Sequence, residues 1–474
     1  MDKSPSDRRP NILWICTDQQ RYDTIGAWGN PRIRTPNLDR LAREGVSFLE
    51  TYTQSPVCTP SRAAFLTGRY PRTARSTMNG NEYFPADEVL VTRLLADSGY
   101  DCGLAGKLHL SAAQGRIERR PDDGYRFFRW SHHPEPDWPE GHDYAKWLES
   151  QGIRWEEHYK GRKGGIEPAY HQTTWCVNEA IRFIEEKRDG PWLMSINPFD
   201  PHPPFDPPET YRSRCRAEEM PAPKWREGEL DNKPAHQRKD YRQGGQDGAG
   251  PAVADMTDLE KKEYVADYYA MVTLIDDQVG RLLDTLERLG QRENTMILFH
   301  SDHGEMLCDH GLILKGAYFY QELVHVPLII SWPGHYPSGL RSRALVELLD
   351  LTATVLDAAE LPVPPYMHSR SLTPILTGQA DPDRHRDHVY CEYYSALTMH
   401  GNIHATMHYD GRYKLVTYHG QDEGELYDLA EDPDEYRNLW AEPGMEALKM
   451  QLMKDSFDAS VMTLDRKIPR VAVY

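Results

Sequence analysis

Residues 55–69 read Ser-Pro-Val-Cys-Thr-Pro-Ser-Arg-Ala-Ala-Phe-Leu-Thr-Gly-Arg, a spacing that suits a loop turning into a short helix. Thr59 has the hydroxyl of an N-cap, Pro60 fits the first helical position, and Gly68 stops the run. Cys58 is thereby expected just ahead of a helix N-terminus, where unpaired backbone N–H groups favour an anion. Arg62, one turn further on, reaches back over the same point. Two chemistries are open to such a cysteine. It is either a buried apolar thiol, the commonest state of a lone cysteine, or a reactive centre beside a bound anion.

Other polar groups have complementary chemistry. Asp18, Gln19 and Asp302 offer oxygen ligands suited to a hard divalent cation such as Ca2+, with Mg2+ also allowed. His303 adds a softer nitrogen and admits Mn2+. Lys107, Lys315 and Arg62 can neutralise the oxygens of a sulfuryl or phosphoryl group, and His109 and His202 can move protons near neutral pH. Taken singly, each has a plainer reading. Either aspartate can cap a helix, either lysine can be a solvated charge, His109 can be a satisfied core imidazole, and His202 can be a turn residue among prolines. His132, His133, His400, His404 and His408 read as surface or specificity-loop residues, with His132 or His133 placed to line an entrance.

The elements that must position these groups are visible in the hydropathy pattern. Asn11–Thr17 is a nearly continuous apolar run of buried-strand type ending at Asp18. Residues 36–44 read as a helix after Thr35, and a strand begins at Val46. A helix over 91–96 is followed by a strand over 100–105 that ends before Lys107. Residues 117–170 lose periodicity and read as long loops bearing Phe127, Phe128, Trp130, Trp138, Trp147 and Trp155, which can stack sugar rings or simply fill core. A helix over 174–187 precedes a strand over 192–196, which runs into His202. Residues 212–254 are polar and read as a surface loop or lid. A capping box at Thr257–Glu260 opens a long helix ending at Gly290. Strands over 295–299 and 326–330 flank Asp302, His303 and Lys315. Every polar cluster thus falls at a strand end, which is where open α/β sheets bind ligands.

This alternation implies an α/β domain over residues 1–375, with a large, mixed but mostly parallel sheet sandwiched by helices. Residues 376–474 change texture to short strands, with Asp410-Gly411 as a hairpin turn, and a closing helix. A smaller C-terminal antiparallel α+β domain is expected there.

Composition narrows the function classes. The 474 residues carry a formal net charge of -18, which argues against nucleic-acid or anionic-membrane partners, so attraction for an anionic substrate must be local. Seven cysteines without a Cys-x-x-Cys pair are neither a disulfide framework nor a zinc site. A mean hydropathy of -0.71, the lack of a membrane-length apolar run and a polar N-terminus without a secretory stretch give a cytoplasmic expectation, unless a leader has been removed. The sequence is compatible with a homo-oligomer.

Together the Asn11-Ile12-Leu13 strand into Asp18, the Thr35–Ala42 helix, Cys58-x-Pro60-Ser61-Arg62 with Thr67-Gly68, Gly106-Lys107-Leu108-His109, Pro201-His202, Ser301-Asp302-His303-Gly304, Lys315-Gly316 and Glu425-Leu426-Tyr427-Asp428 resemble the type I sulfatases of the alkaline phosphatase superfamily. The resemblance covers nearly the whole chain. It implies that a formylglycine-generating enzyme converts Cys58 to formylglycine, hydrated to a gem-diol. One hydroxyl, activated by the metal and Asp302, would attack sulfur while Arg62 and Lys107 hold the group. His202 and Lys315 would assist the leaving alcohol, and His109 would take the proton that expels sulfate. Asp18, Gln19, Asp302 and His303, with Cys58 beside them, would hold the metal, usually calcium. Gln19 and His303 stand where many members have Asp and Asn, a departure that bears on metal identity.

The function expected is a sulfuric ester hydrolase acting on a sulfated carbohydrate or small sulfate ester. The alternative is a phosphonate monoester or phosphodiester hydrolase of the same superfamily, which the Asp18-Gln19 and Asp302-His303 pairs resemble and the Lys107-x-His109 pair does not favour. A third reading, a silent anion-binding scaffold with unmodified Cys58, conflicts with the presence of every expected polar residue.

Overall fold

The computed structural model describes residues 9–113, 115–133, 141–158, 164–245, 250–398, 401–468 and 471–472; Trp138 and His400 lie outside them. Its main sheet contains eight strands. These are β1 (Asn11–Thr17), β2 (Val46–Tyr52), β3 (Asp101–Gly106), β4 (Phe127–Trp130), β5 (Trp192–Asn197), β6 (Thr295–Ser301), β7 (Leu328–Ser331) and β8 (Leu340–Glu347), in the spatial order β4-β3-β5-β1-β6-β7-β2-β8. The run from β4 to β6 is parallel throughout, and β7 is the one strand that runs against its neighbours.

Both faces of this sheet are covered, which is why the middles of β1 and β6 are continuous apolar runs. Ile12, Trp14 and Cys16 face a core shared with helices α2 (Cys58–Thr67), α3 (Val91–Asp97) and α6 (Asp350–Ala358). Leu13 and Ile15 face the opposite core, which packs on α1 (Pro36–Glu44), α4 (Gln172–Ile184) and the 31-residue α5 (Asp258–Arg288). The capping box at Thr257 and Glu260 forms as expected.

A second, four-stranded antiparallel sheet follows: β9 (Val389–Tyr394), β10 (His404–Tyr409), β11 (Tyr413–Tyr418) and β12 (Gly424–Asp428), ordered β12-β11-β10-β9. One face packs Met407, Val416 and Tyr418 against Tyr52, Val57 and Phe319 of the segments around the main sheet. The other face meets Leu452 of the closing helix α7 (Glu446–Met462). Among the described residues, no helix is long and apolar enough to cross a membrane.

The structure corrects several local expectations. Thr59 is not the N-cap, because α2 begins at Cys58 with Val57 as its cap. Phe127–Trp130 is an edge strand of the sheet rather than loop, and Phe127 and Trp130 are core residues. His408 is buried on β10 rather than exposed.

The largest correction concerns 212–254, read as a lid with little to bury. It carries turns of helix and is tied down by buried polar bonds. Lys233 Nζ donates to Tyr427 Oη at 2.7 Å and to the Glu435 carbonyl at 2.8 Å, and Tyr318 donates to Asp240. Polar residues placed this way escape a reading based on hydropathy, because their partners are distant in sequence.

One of these ties gives a pH prediction. His310 is buried and paired with Glu229. Burial opposes its charge, but bonds to Glu229 and Glu322 outweigh that and push the imidazole up to about 9. A raised histidine stabilises the fold fully below its unfolded value near 6.5 and loses that contribution as pH climbs through 9. Denaturant titration across this window should show a loss of about 3 kcal/mol. Most of that pH dependence should disappear in Glu229→Gln, and an equal slope in the variant would refute the assignment.

Candidate active site

Four adjacent parallel strands, β3, β5, β1 and β6, end at the same edge of the sheet. Their carboxyl ends deliver Lys107 and His109, His202, Asp18 and Gln19, and Asp302 and His303. The first turn of α2 brings Cys58 to the same point, and the loop after β6 brings Lys315. All of the residues anticipated from the sequence converge here, and except for the partly exposed His202 they are buried.

Two glycines make this convergence possible. A Cβ on Gly106 would lie 2.0 Å from the Asn197 carbonyl oxygen, and one on Gly304 would lie 1.9 Å from that of Glu322. Only glycine lets these turns approach so closely. Gln19 and His109 adopt left-handed backbone, at φ 69° and 56°, conformations a non-glycine residue holds only where its surroundings insist.

Cys58 Sγ lies at the centre. It is 3.0 Å from Lys315 Nζ, 3.1 Å from His303 Nε2 and 3.8 Å from Asp18 Oδ1. Burial alone would push the thiol up, but Lys107, Lys315 and His303 together hold it well below the ordinary cysteine range. Cys176, by contrast, has no cation among its neighbours and is pushed up by burial; Cys16 feels Arg62 and Lys107 but also Asp302 and Asp18, and burial still pushes it up.

Each nitrogen of the Arg62 guanidinium donates to the protein. Its Nε donates to Asp302 Oδ2 at 2.8 Å, one terminal nitrogen to Asp18 Oδ2 at 3.1 Å and the other to the Lys107 carbonyl at 3.1 Å. It therefore orders the carboxylates and the Lys107 turn at once, a use of the planar guanidinium that lysine cannot copy. Lys107 Nζ is 2.5 Å from Asp18 Oδ2. Lys315 Nζ also donates to Gln19 Oε1 and to His202 Nε2, each at 2.8 Å. His202 Nδ1 donates to the Pro203 carbonyl, which leaves Nε2 as the acceptor. Burial and the neighbouring Lys315 accordingly push His202 down to about 4, and burial and Lys107 push His109 down to about 3.

The donor set fits a divalent cation. Ligand atoms of Asp18, Cys58, Asp302 and His303 all lie within 4.8 Å of one another. His303 Nδ1 is committed to the Gly304 carbonyl at 2.9 Å, so its Nε2 lone pair turns inward, the usual arrangement for a ligating imidazole. Gln19 presents its carboxamide oxygen beside Lys315, while its amide nitrogen donates to Glu305.

Glu305 and Glu118 escaped the sequence reading as functional groups. Glu305 stands in the same run as Asp302 and His303, and that proximity was its only signal. It also accepts the backbone N–H groups of Leu307 and Leu314, bracing the loop that carries Lys315. Glu118 sits in an aperiodic stretch and carries no such signal. The sugar-stacking reading of Trp147 and Trp155 gives way to packing against the core under α5, and His404 is exposed as expected.

Strand ends and a helix start that bring two carboxylates, three imidazoles, a thiol and three cations to one point supply the groups a metal-assisted hydrolase of anionic esters needs. Comparison with known proteins narrows the class. The sulfatase family model matches residues 10–361, and the C-terminal model of N-sulphoglucosamine sulphohydrolase matches residues 308–460. The arylsulfatase of Clostridium perfringens is 30% identical over 450 residues, covering 91% of this chain and 90% of that protein. The N-acetylglucosamine-6-O-sulfatase of Bacteroides thetaiotaomicron is 28% identical, covering 94% and 85%. The solved phosphonate monoester hydrolase of Agrobacterium radiobacter superposes with a TM-score of 0.84 at 27% identity, covering 97% of each chain. The chain belongs to the sulfatase family, and it is an enzyme of that class, a sulfuric ester hydrolase.

Proposed function

We propose that this enzyme releases sulfate from a sulfated carbohydrate or a related small ester, with Cys58 acting after conversion to formylglycine. The observation that carries the reading is the placement of Cys58, 3.0 Å from Lys315 and 3.1 Å from His303 at the meeting point of four strand ends. The carbohydrate assignment is supported by the 6-O-sulfatase relative, which matches 94% of this chain. As formylglycine, residue 58 would supply a hydrated aldehyde oxygen as nucleophile in place of sulfur. Asp18, Gln19, Asp302 and His303 would hold a divalent cation, calcium on the strength of the oxygen donors, which would supply positive charge against the ester oxygens.

The chain's own residues do the rest. Lys107 and Lys315 present ammonium groups to the anionic group from two sides. Lys315, oriented by its bond to the neutral Nε2 of His202, is the donor placed to protonate a departing alcohol oxygen, and water then returns a proton to the lysine. His109, held neutral, is ready to accept a proton at residue 58. Arg62 keeps both carboxylates aimed inward.

Initial rates of sulfate release from aryl and sugar sulfates test the reading, measured beside phosphate and phosphonate esters on the same preparation. Sulfate esters should be preferred, activity should vanish with a chelator, and calcium should restore it. A phosphonate monoester hydrolase is the second reading, favoured by the TM-score of 0.84. Faster phosphonate turnover would establish it instead.

A further inference from the structure

Glu118 is a buried carboxylate that none of the steps above uses. It is 4% exposed and lies against neutral donors. It accepts the backbone N–H of His109 at 2.8 Å, that of Leu110, that of Ser111 at 3.0 Å, and the indole Nε1–H of Trp130 at 3.1 Å. Three successive N–H groups converging on one carboxylate fix the backbone that carries them. The middle of that turn is His109, at φ 56°, and the carboxylate repays the strain of the left-handed conformation. The other end of the turn is fixed independently, because the Lys107 carbonyl accepts from Arg62 and from Asn197 Nδ2 at 2.8 Å.

The direction of the His109 ring needs a second source. Among the described residues nothing hydrogen-bonds its Nδ1, so apart from its bond with the Cys58 side chain the ring is aimed by its backbone and its packing. The packing partner is His132, edge-on at 4.3 Å between ring centroids and 71°. His132 in turn stacks on Trp130 at 6.4 Å and 23°, and Trp130 is the fourth donor to Glu118. One carboxylate therefore holds both the backbone under His109 and the ring beside it.

We propose that Glu118 is a positioning residue that aims the His109 imidazole at residue 58 through the His109–Ser111 backbone and the Trp130–His132 stack. The proposal rests on the reading of His109 as the proton acceptor there. It requires no contact between Glu118 and substrate or metal. Its loss should slow turnover without weakening substrate binding, since Lys107, Lys315 and the carboxylates stay where they are.

The test is a double-mutant cycle on the whole metal-loaded enzyme, with kcat and KM read separately. Glu118→Gln keeps the volume but turns an amide N–H toward backbone donors. It should lower kcat about 10- to 100-fold, the cost of a small misplacement of a reacting group, with KM within about twofold. In a His109→Ala background the same substitution should change kcat by less than about threefold, because the ring it aims is gone. Equal losses in the two backgrounds, or a raised KM with kcat intact, would overturn the proposal. His109→Ala alone tests the reading beneath it. An unchanged kcat there removes the role of His109 and the proposal with it, whereas a large loss combined with additive Glu118 effects overturns the proposal only. If Glu118→Gln fails to fold, Trp130→Phe decides the matter. It removes one donor of four, and its loss of kcat, expected at about threefold to tenfold, should likewise disappear without His109. A loss that persists there counts against the proposal.

Discussion

Cys58→Ala should lower sulfate release by more than about a thousandfold, the scale expected when a covalent nucleophile is removed and the surrounding charges remain. The fold should survive. Alanine has high helix propensity at the start of α2 and leaves a small space, and Lys315 keeps Gln19 and His202 as partners. The variant also separates two states of the native side chain. A peptide spanning residue 58 from active enzyme should carry the aldehyde, lighter by the exchange of sulfur for oxygen and the loss of two hydrogens, or its hydrate, which adds back one water. The share of converted peptide should scale with the specific activity of each preparation. Protein from its native host that carries only the thiol and turns over no ester would end the enzymatic proposal for Cys58. A fully active Cys58→Ala would end it more directly.

The sequence reading succeeded where chemistry and periodicity coincided. Asp18, Lys107 and Asp302 each directly follow a run apolar enough to be a two-sided buried strand, so placing the strand also placed the residue. The adjacency of β3, β5, β1 and β6 could not be read from the chain, although strand-end placement alone was enough to predict a shared crevice. What escaped the reading has a common physical cause. Glu118, His310 and the polar residues of 217–243 are buried by partners far away in sequence, and hydropathy scores a satisfied buried carboxylate as if it were exposed. The β4 strand escaped because Arg129 breaks its apolar pattern at an edge position. Arg62 was located at the site from the sequence, but its bonds to Asp302, Asp18 and the Lys107 carbonyl could be seen only in the geometry.

That geometry makes Arg62→Lys the other substitution with a large expected effect. Arg62 is 1% exposed and bridges Asp18, Asp302 and the Lys107 carbonyl. Lysine brings one point charge on a flexible stem and reaches one of these partners at a time. Asp18 would keep Lys107 at 2.5 Å, so the deficit falls on Asp302. Burial already pushes that carboxyl up, the Asp18 charge adds to this, and Arg62 opposes both. Without the guanidinium Asp302 holds its proton to higher pH, and a divalent cation must then displace that proton to bind. Three results should appear together. The metal-free variant should lose about 3 kcal/mol of stability, as when one partner leaves a buried ion pair. Saturating calcium should recover much of that loss by neutralising the unpaired carboxylate. The apparent calcium affinity should fall about 10- to 100-fold, by more at low pH than at high pH. Denaturant titrations with calcium and with chelator, repeated at two pH values, measure all three. Equal destabilisation with and without calcium would mean that Arg62 serves the fold rather than the cation site.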